Sequence, residues 1–294
     1  MKQKKYIPWL YILPYFISFI IFFIIPFLYG IIMSFTNYDF NSFKLIGIKN
    51  YVNLFSNNSI YFQQFWNAIK NTFTFIILTV PALIIIPLII AQMLHSNKRF
   101  TNLFQSIFYM PTLFSVTSAM LVWTWLMNNE TGILNYYLNK VFGVKLPWLT
   151  TTRWGWLAML IATVWWTMGS NMIIFSAGIK DVSKDLYEAA EVDGANAFRK
   201  FISITIPGLK NQLVYAVLMT IIASSNVFGQ PHIMTGGGPG RSTQSISMLI
   251  RDVAFTGTIP RAGQSAAMSV IFGFLIIVVS FAAMIVLNKS MKTE

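Results

Sequence analysis

The sequence of 294 residues contains no cysteine and only two histidines, His95 and His232. Without cysteine the chain has no disulfide, no thiolate metal site and no cysteine nucleophile. The two histidines lie far apart in sequence and have no neighbouring carboxylates, so they do not form a pattern typical of zinc ligands. We therefore expect no metal site in this chain.

Charge is also scarce, at 10% of the residues, whereas 55% are hydrophobic. A soluble domain carries about 25% charged residues, so this chain has too few to cover a water-facing surface. Its net charge of +12 would suit nucleic acid. The basic residues, however, sit at the ends of apolar runs, where membrane topology places them. The composition predicts a protein embedded in a lipid bilayer, with no nucleic-acid partner.

Six apolar stretches reach the roughly 20 residues that a membrane-spanning helix needs. They cover residues 9–35, 72–94, 103–127, 154–179, 212–230 and 262–288. The first is longer than the apolar core of about 7–15 residues in a cleaved signal peptide, so it counts as a span. The fifth is the weakest, because its end, "IIASSNVFGQP", is polar. Since no linker interrupts the chain, the sequence predicts an all-α membrane protein of six spans, with 1–294 as a single transmembrane domain.

Lysine and arginine set the expected orientation of the spans. The segments richest in them are the start (Lys2, Lys4, Lys5), the 2–3 loop (Lys98, Arg99), the 4–5 loop (Lys180, Lys184, Arg199, Lys200, Lys210) and the end (Lys289, Lys292). With six spans, all of these segments fall on one side. This pattern predicts that both termini are cytoplasmic, although the opposite loops also carry basic residues.

No predicted span contains an internal Asp, Glu, Lys or His, and Arg261 stands at the edge of the sixth. Ion-driven carriers and voltage sensors keep such groups at mid-membrane, so the bundle matches neither class. It suits a neutral polar solute, bound by groups such as Ser170, Asn171, Ser224, Ser225 and Asn226. Taken singly, each of these residues is better explained as an interhelical hydrogen bond, and only their clustering favours a cavity. The energy for pumping would then come from another subunit.

A membrane enzyme and a passive channel are the competing classes. The outer loops offer only the isolated acids Asp39, Glu130 and Asp252, which form no catalytic spacing. A passive channel would not need the acidic helix of the 4–5 loop. We expect no catalytic residue in this chain.

The 4–5 loop, residues 180–210, reads "KDVSKDLYEAAEVDGANAFRKFISITIPGLK". Ser183 is a suitable N-cap, and Asp185 complements the helix dipole in the first turn. Apolar residues share one face of the predicted helix, Glu188 and Glu191 share another, and Gly194 breaks it. Helices that lie on lipid are rich in basic residues, so this acidic one favours a groove on a protein partner.

Within this loop, "EAAEVDGANAFRKFISITIP" resembles the EAA loop of permease subunits of binding-protein-dependent ATP-binding-cassette importers. The matching groups are Glu188-Ala189-Ala190, Asp193-Gly194-Ala195 and Ile204-Thr205-Ile206-Pro207, where Ile206 replaces the family's leucine. The stretches "FTNYDFNSFKLIGIKNYVNLF", "FYMPTLFSVTSAMLVWTWLMNNETGILN" and "MTGGGPG" are similar to the sugar-permease branch, typified by the maltose transporter. A short loop joins the first two spans, so the multiple-sugar and glycerol-phosphate permeases are the closer resemblance.

The resemblance implies a permease that forms half of a translocation path and holds no cofactor. Its expected partners are a second homologous permease, two copies of an ATPase subunit that binds ATP and Mg, and an extracellular or periplasmic solute-binding protein. The expected location is a bacterial or archaeal cytoplasmic membrane. In this family the EAA helix docks on the ATPase, with Glu188 as the ionic contact and Gly194 as the hinge. The coupling residues would be Leu186, Tyr187, Glu188, Ala189, Ala190, Asp193 and Gly194.

The family binds its solute at mid-membrane, on spans equivalent to the fourth, fifth and sixth. By that resemblance the substrate path is lined by Thr167, Ser170, Asn171, Ser224, Asn226 and Phe228. The lack of an internal cation favours a neutral sugar or oligosaccharide. A non-sugar polar solute such as a glycerol phosphoester is the alternative, because an anion would meet Arg153, Arg241, Arg251 and Arg261 near the outer mouth.

Residues 234–243, "MTGGGPGRST", combine glycine, a positive charge and two hydroxyls, as phosphate-binding loops do. The Walker pattern fails, because Thr235 stands at its first glycine and Arg241 replaces its lysine. A simple glycine turn is one interpretation. The resemblance implies the other, a docking loop for the binding protein formed by Gly236, Gly237, Gly238, Pro239 and Gly240.

Overall fold

The computed structural model describes residues 7–96, 101–256 and 260–290. Outside its helices, this part of the chain contains one isolated antiparallel bridge, between Thr36 and Leu45. The predicted all-α class is confirmed. Several residues used for the predicted orientation lie outside the described part: Lys2, Lys4, Lys5, Lys98, Arg99 and Lys292.

Fourteen α-helices follow one another along the described residues. They are α1 (Ile7–Phe19), α2 (Ile25–Met33), α3 (Lys49–Phe55), α4 (Ile60–Ser96), α5 (Thr101–Tyr109), α6 (Val116–Leu126), α7 (Ile133–Phe142), α8 (Thr152–Asp181), α9 (Lys184–Val192), α10 (Ala197–Lys200), α11 (Ile206–Gly208), α12 (Lys210–Ser225), α13 (Ile246–Arg251) and α14 (Ala262–Ser290). Short π-helical segments lie at Ile20–Ile24, Phe201–Thr205, Pro231–Thr235 and Asp252–Thr256, and a 3₁₀ turn lies at Met110–Leu113.

Four helical segments are long and apolar enough to cross a membrane, and they match the first, second, fourth and sixth predicted spans. They are Tyr11–Met33, Ile60–His95, Thr152–Asp181 and Ala262–Lys289. The main difference from the prediction is that α4 begins at Ile60 rather than near residue 72. At 1.5 Å per residue, its 37 residues make a rod of about 55 Å. Because the hydrocarbon core is only about 30 Å thick, α4 extends beyond it.

The third predicted span, 103–127, is bent and is not one continuous helix. The segments Thr101–Leu113 and Val116–Leu126 meet at a bend of 98°. Pro111 lies in the 3₁₀ turn just before the bend, and proline lacks the N–H that an α-helical ladder needs. The next helix, α6, begins after Ser115. This residue is its N-cap, because the Ser115 hydroxyl accepts a hydrogen bond from the backbone N–H of Ser118.

The fifth predicted span, 212–230, also needs correction. α12 ends at Ser225, and its start meets the helical run Ala197–Gly208 at a bend of 73°. The side chains at its end satisfy carbonyls of the last turn: Ser225 donates to Ile221 O and Asn226 donates to Ile222 O. Serine and asparagine compete with the helical ladder in this way, so the polar end predicted as membrane helix leaves it instead.

By packing, the chain divides into two compact units. The first consists of Met1–Trp66 and Leu249–Phe274, and the second of Asn67–Met248 and Leu275–Glu294. The expectation of a single transmembrane domain over 1–294 stays a prediction.

Buried amides hold the first unit together. Asn50, on α3, donates to the carbonyls of Ser34 and Thr36 at 2.9 and 2.7 Å. Gln264, on α14, donates to the carbonyl of Asn50 at 3.0 Å. A β-carbon on Gly263 would lie 2.1 Å from the oxygen of Thr36, so only glycine permits this close approach. These contacts tie the loop after α2 to α3 and α14.

Small residues on α8 allow the helices of the second unit to approach closely, as in other membrane bundles. A β-carbon on Gly169 would lie 2.4 Å from the backbone oxygen of Phe108, which belongs to α5. One on Gly178 would lie 2.5 Å from a side-chain carbon of Leu209. α8 is therefore held tightly between α5 and the start of α12.

Candidate functional site

The second unit contains a cleft of about 390 Å³ lined by α4, α8, α12 and Gln230. Among the described residues that line it, none is charged. Three aromatic residues contribute: Phe75, Trp166 and Tyr215. The polar lining residues are Thr163, Thr167, Ser170, Asn171, Thr220, Ser224 and Gln230. The cleft therefore offers uncharged hydrogen-bonding groups beside aromatic surfaces.

The break in the third span and the end of α12 both border this cleft. Trp166, which lines it, donates from Nε1 to the carbonyl of Phe114 at 3.0 Å, inside the break before α6. Ser224 and Gln230, which also line it, lie on either side of the break after α12. Irregular backbone at membrane depth persists only where it is buried in protein or lines a polar cavity. Discontinuous helices are also where transporters build their binding sites.

Four of the six residues predicted for the substrate path line the cleft: Thr167, Ser170, Asn171 and Ser224. The other two do not line it. Asn226 is exposed at the end of α12, where its amide bonds to Ile222 O. The Phe228 ring stacks on His232 with centroids 4.9 Å apart. The assignment of all six residues to the substrate path stays a prediction.

Asn171 acts as an interhelical clamp. Its amide donates to the carbonyl of Leu83 at 2.7 Å and to the hydroxyl of Thr220 at 3.1 Å. Leu83 and Pro87 both lie on α4, and proline lacks the N–H that would normally bond to the carbonyl four residues earlier. The side chain of Asn171 supplies the missing donor and ties α8 to α4 and α12.

Other polar groups of the cleft are also used within the protein. Thr79 donates to the hydroxyl of Ser224 at 3.1 Å, and Thr167 donates to the carbonyl of Thr163 at 2.8 Å. Two lining residues are different. The buried hydroxyl of Thr163 has no hydrogen-bond partner among the described residues. Gln230 is only 7% exposed, and its amide forms no hydrogen bond with any residue that the structure describes. It is the buried amide of the cleft that the fold leaves available.

The 4–5 loop forms the helix, cap and break that its sequence predicts. The hydroxyl of Ser183 accepts from the N–H of Asp185 and caps α9. The helix ends in a Schellman motif, in which Gly194 has a φ of +73° and Ala195 N–H bonds to the carbonyl of Ala190 at 2.8 Å. The positive φ is the physical reason for glycine at position 194.

Two side-chain contacts hold α9 against the segment that leads to α12. The hydroxyl of Tyr187 lies 2.9 Å from that of Thr205, which is fully buried. Lys200 Nζ lies 2.6 Å from a carboxylate oxygen of Glu191. The hydrogen bond and the charge of Lys200 hold the pKa of Glu191 below its ordinary value. Sequence reasoning missed Thr205 and Lys200, since neither shares a helix turn with its partner.

The outer surface of α9 combines an acid with apolar side chains. Glu188 and Ala189 are exposed. Leu186 is 54% exposed and Val192 is 89% exposed. All seven predicted coupling residues lie on α9 and the turn that ends it. This surface fits a partner that offers an apolar groove and a basic residue.

The glycine-rich stretch is a folded loop with no Walker geometry. Gly237 is buried, whereas Gly236, Pro239 and Gly240 are exposed. Asn71, on α4, donates to the carbonyls of Arg241 and Gln244 and ties the loop to that helix. Additional hydrogen bonds join the loop to α8 and to its own start, from Thr152 to Ser242 and between Thr235 and Thr243. The exposed backbone at 236 and 239–240 is available for close contact with a partner.

Sequence reasoning also missed Gln230, Trp166 and Tyr215. Gln230 stands between Gly229 and Pro231, in the polar end that made the fifth span look weak, and this was its only signal. In the sequence, Trp166 looks like any other aromatic residue of a membrane span. Its role depends on the carbonyl of Phe114, which only the tertiary structure brings close.

Known proteins are similar to this chain over most of its length. The family described as "Binding-protein-dependent transport system inner membrane component" matches residues 54–293. The arabinooligosaccharides transport system permease protein AraP of Bacillus subtilis is 31% identical over 99% of this chain and 91% of its own length. The probable starch degradation products transport system permease protein AmyD of Thermoanaerobacterium thermosulfurigenes is 30% identical over 97% of this chain and 95% of its own length.

A solved structure has the same fold. It is a bacterial alginate ABC transporter in complex with an alginate pentasaccharide-bound periplasmic protein. One of its chains matches with a TM-score of 0.83 and 25% identity, covering 98% of this chain and 96% of that chain.

Proposed function

The chain belongs to the family of binding-protein-dependent transport system inner membrane components, and from this premise we propose that it is the permease subunit of an ATP-driven importer for a sugar or oligosaccharide. The observation that carries the proposal is the uncharged cleft between broken spans, where hydroxyl, amide and aromatic groups converge. Sugars present hydroxyls to amides and apolar ring faces to aromatic side chains. A glycerol phosphoester fits less well, because no described residue that lines the cleft is basic.

The energy of ATP hydrolysis reaches this chain through α9. We assign Glu188 as the ionic contact to an ATPase subunit, and Leu186 and Ala189 as apolar contacts on the same helix. ATP and Mg bind to that partner and not to this chain. A second homologous permease completes the path, and a solute-binding protein docks at the exposed backbone of residues 236–240. The chain lies in a cytoplasmic membrane with both termini inside, as its lysines and arginines indicate.

Closure of the ATPase dimer moves α9 together with the segment that its hydrogen bonds hold. Tyr187 and Lys200 link α9 to residues 200–205, which lead directly into the bend before α12. Because α12 lines the cleft, a displacement of α9 reaches the solute site along a continuous run of backbone. Rigid-body rocking of this kind alternates the access of a cleft between the two sides of the membrane.

The test is charge reversal at the proposed contact. ATP-driven uptake in proteoliposomes is expected to fall about 12- to 140-fold in the Glu188→Lys variant, because one charged hydrogen bond contributes about 1.5–3 kcal/mol. Glu130→Lys is the matched control, since Glu130 is also exposed but lies between α6 and α7. Wild-type uptake by the Glu188→Lys complex, or failure of the chain to co-purify with an ATPase subunit, contradicts the proposal.

A further inference from the structure

Gln230 is a buried amide for which the fold provides no partner. It is more than nine-tenths buried, and it lines the cleft. The amide of Asn171, by contrast, is committed to Leu83 and Thr220. An amide that the fold leaves unbonded in the wall of a cleft is able to bond to a molecule that enters the cleft.

The neighbours of Gln230 hold its backbone in place. Gly229 lies so close to Val116 that a β-carbon would come within 2.6 Å of a methyl carbon of that residue. Val227 and Met234, on either side, are buried in one apolar cluster with Met120. The amide is therefore positioned before a ligand arrives, which lowers the ordering cost of binding.

The chemistry of the cleft defines the ligand that this amide can accept. A primary amide offers two donors and one acceptor, which suits neighbouring hydroxyls that both donate and accept. Phe75 and Trp166 provide aromatic surface for the apolar face of a sugar ring. A carboxylate or phosphate would lose its hydration without gaining a counter-charge, because the described lining residues are uncharged.

We propose that Gln230 is a specificity-determining residue that binds the hydroxyls of an uncharged saccharide and disfavours an acidic one. This proposal rests on the proposed function and names its substrate class. It assigns different roles to two amides of one cleft, Gln230 to the ligand and Asn171 to the fold.

The experiment uses the complete detergent-solubilised complex without its solute-binding protein, so that the binding protein's own selectivity does not enter. Arabinotriose, maltotriose and trigalacturonate are the probes, and their dissociation constants are measured by saturation-transfer NMR. At least one neutral trisaccharide is expected to bind, and trigalacturonate is not. Gln230→Leu is expected to raise the dissociation constant of the neutral ligand by about 2- to 12-fold, which is the effect of losing one uncharged hydrogen bond.

The control is Gln105→Leu, because Gln105 is a half-buried glutamine on α5 that does not line the cleft. It is expected to keep the wild-type dissociation constant. The melting temperature distinguishes an amide that binds a ligand from one that forms a hydrogen bond within the fold. Gln230 forms no hydrogen bond with a described residue, so Gln230→Leu is expected to keep the wild-type melting temperature, whereas loss of a structural hydrogen bond would lower it.

Three results would overturn the proposal: an unchanged dissociation constant in Gln230→Leu, tighter binding of trigalacturonate than of the neutral sugars, or no saccharide binding. None of them refutes the permease assignment, which the uptake assay of Glu188→Lys tests independently.

Discussion

Replacing Tyr187 by phenylalanine tests whether α9 acts as a lever. The change removes one hydroxyl and leaves that of Thr205, which is fully buried, without this partner. An unsatisfied buried hydroxyl costs about 1–3 kcal/mol, which corresponds to about 5- to 140-fold in the equilibrium that holds α9 against residues 201–205. The packing of the ring is unchanged, so the perturbation is confined to this link.

The assay measures sugar transported per ATP hydrolysed in proteoliposomes, together with the melting temperature of the complex. We expect Tyr187→Phe to lower the transport ratio while ATP hydrolysis continues, because the ATPase contact at Glu188 remains. Thr205→Val in the Tyr187→Phe background removes the orphaned hydroxyl as well. The double variant is therefore expected to be more stable than the sum of the two single changes predicts.

The control and the refuting results are specific to this contact. Tyr215→Phe is a suitable comparison for the melting temperature, since Tyr215 is half exposed and its hydroxyl forms no hydrogen bond with a described residue. If Tyr187→Phe keeps both the melting temperature and the transport ratio, the hydrogen bond is not part of the lever. Strict additivity in the double variant would exclude direct coupling between Tyr187 and Thr205.

Two further predictions concern packing and pH. Gly169→Ala is expected to destabilise the complex by about 1–3 kcal/mol, because the new methyl group would meet the backbone of Phe108 at 2.4 Å. In a thermal melt, Gly273→Ala should have little effect, since its added methyl group meets nothing within 4 Å. The lowered pKa of Glu191 means that its contact with Lys200 is fully present above the ordinary glutamate pKa of about 4.3 and is lost as the pH falls through the lower folded value. The protection factors of the amides in residues 184–200, which compare each exchange rate with its intrinsic rate at the same pH, should therefore fall on acidification. An identical fall in Glu191→Gln would contradict this.

The membrane class and the 4–5 loop were predictable because their causes are local. The apolar runs and the scarcity of charge exclude a water-facing surface. Ser183 caps the residues next to it, and Gly194 is needed for a backbone angle that its own neighbours impose. Such effects act within one or two helical turns, so all of the residues that cause them stand close together in the sequence.

The bends in the third and fifth spans were not predictable from apolarity. A run of apolar residues indicates burial or contact with lipid, but it does not specify that the helix continues in one direction. Trp166 stabilises the third-span break by a hydrogen bond to the carbonyl of Phe114, 52 positions earlier in the chain. The partner that makes the break tolerable is remote in sequence, so no local pattern reveals it.

The sequence by itself determined that this protein is a helical membrane bundle with no charge inside its spans and with an acidic helix in the 4–5 loop. Only the tertiary structure decided which polar groups bind within the fold and which are available. Asn171 and Gln230 both line the cleft, and the chemistry of their amide side chains is nearly identical. Asn171 is occupied because Pro87, on another helix, leaves the carbonyl of Leu83 without a donor. Gln230 is available because no residue that the structure describes forms a hydrogen bond with its amide, while its neighbours Val227 and Met234 pack in an apolar cluster.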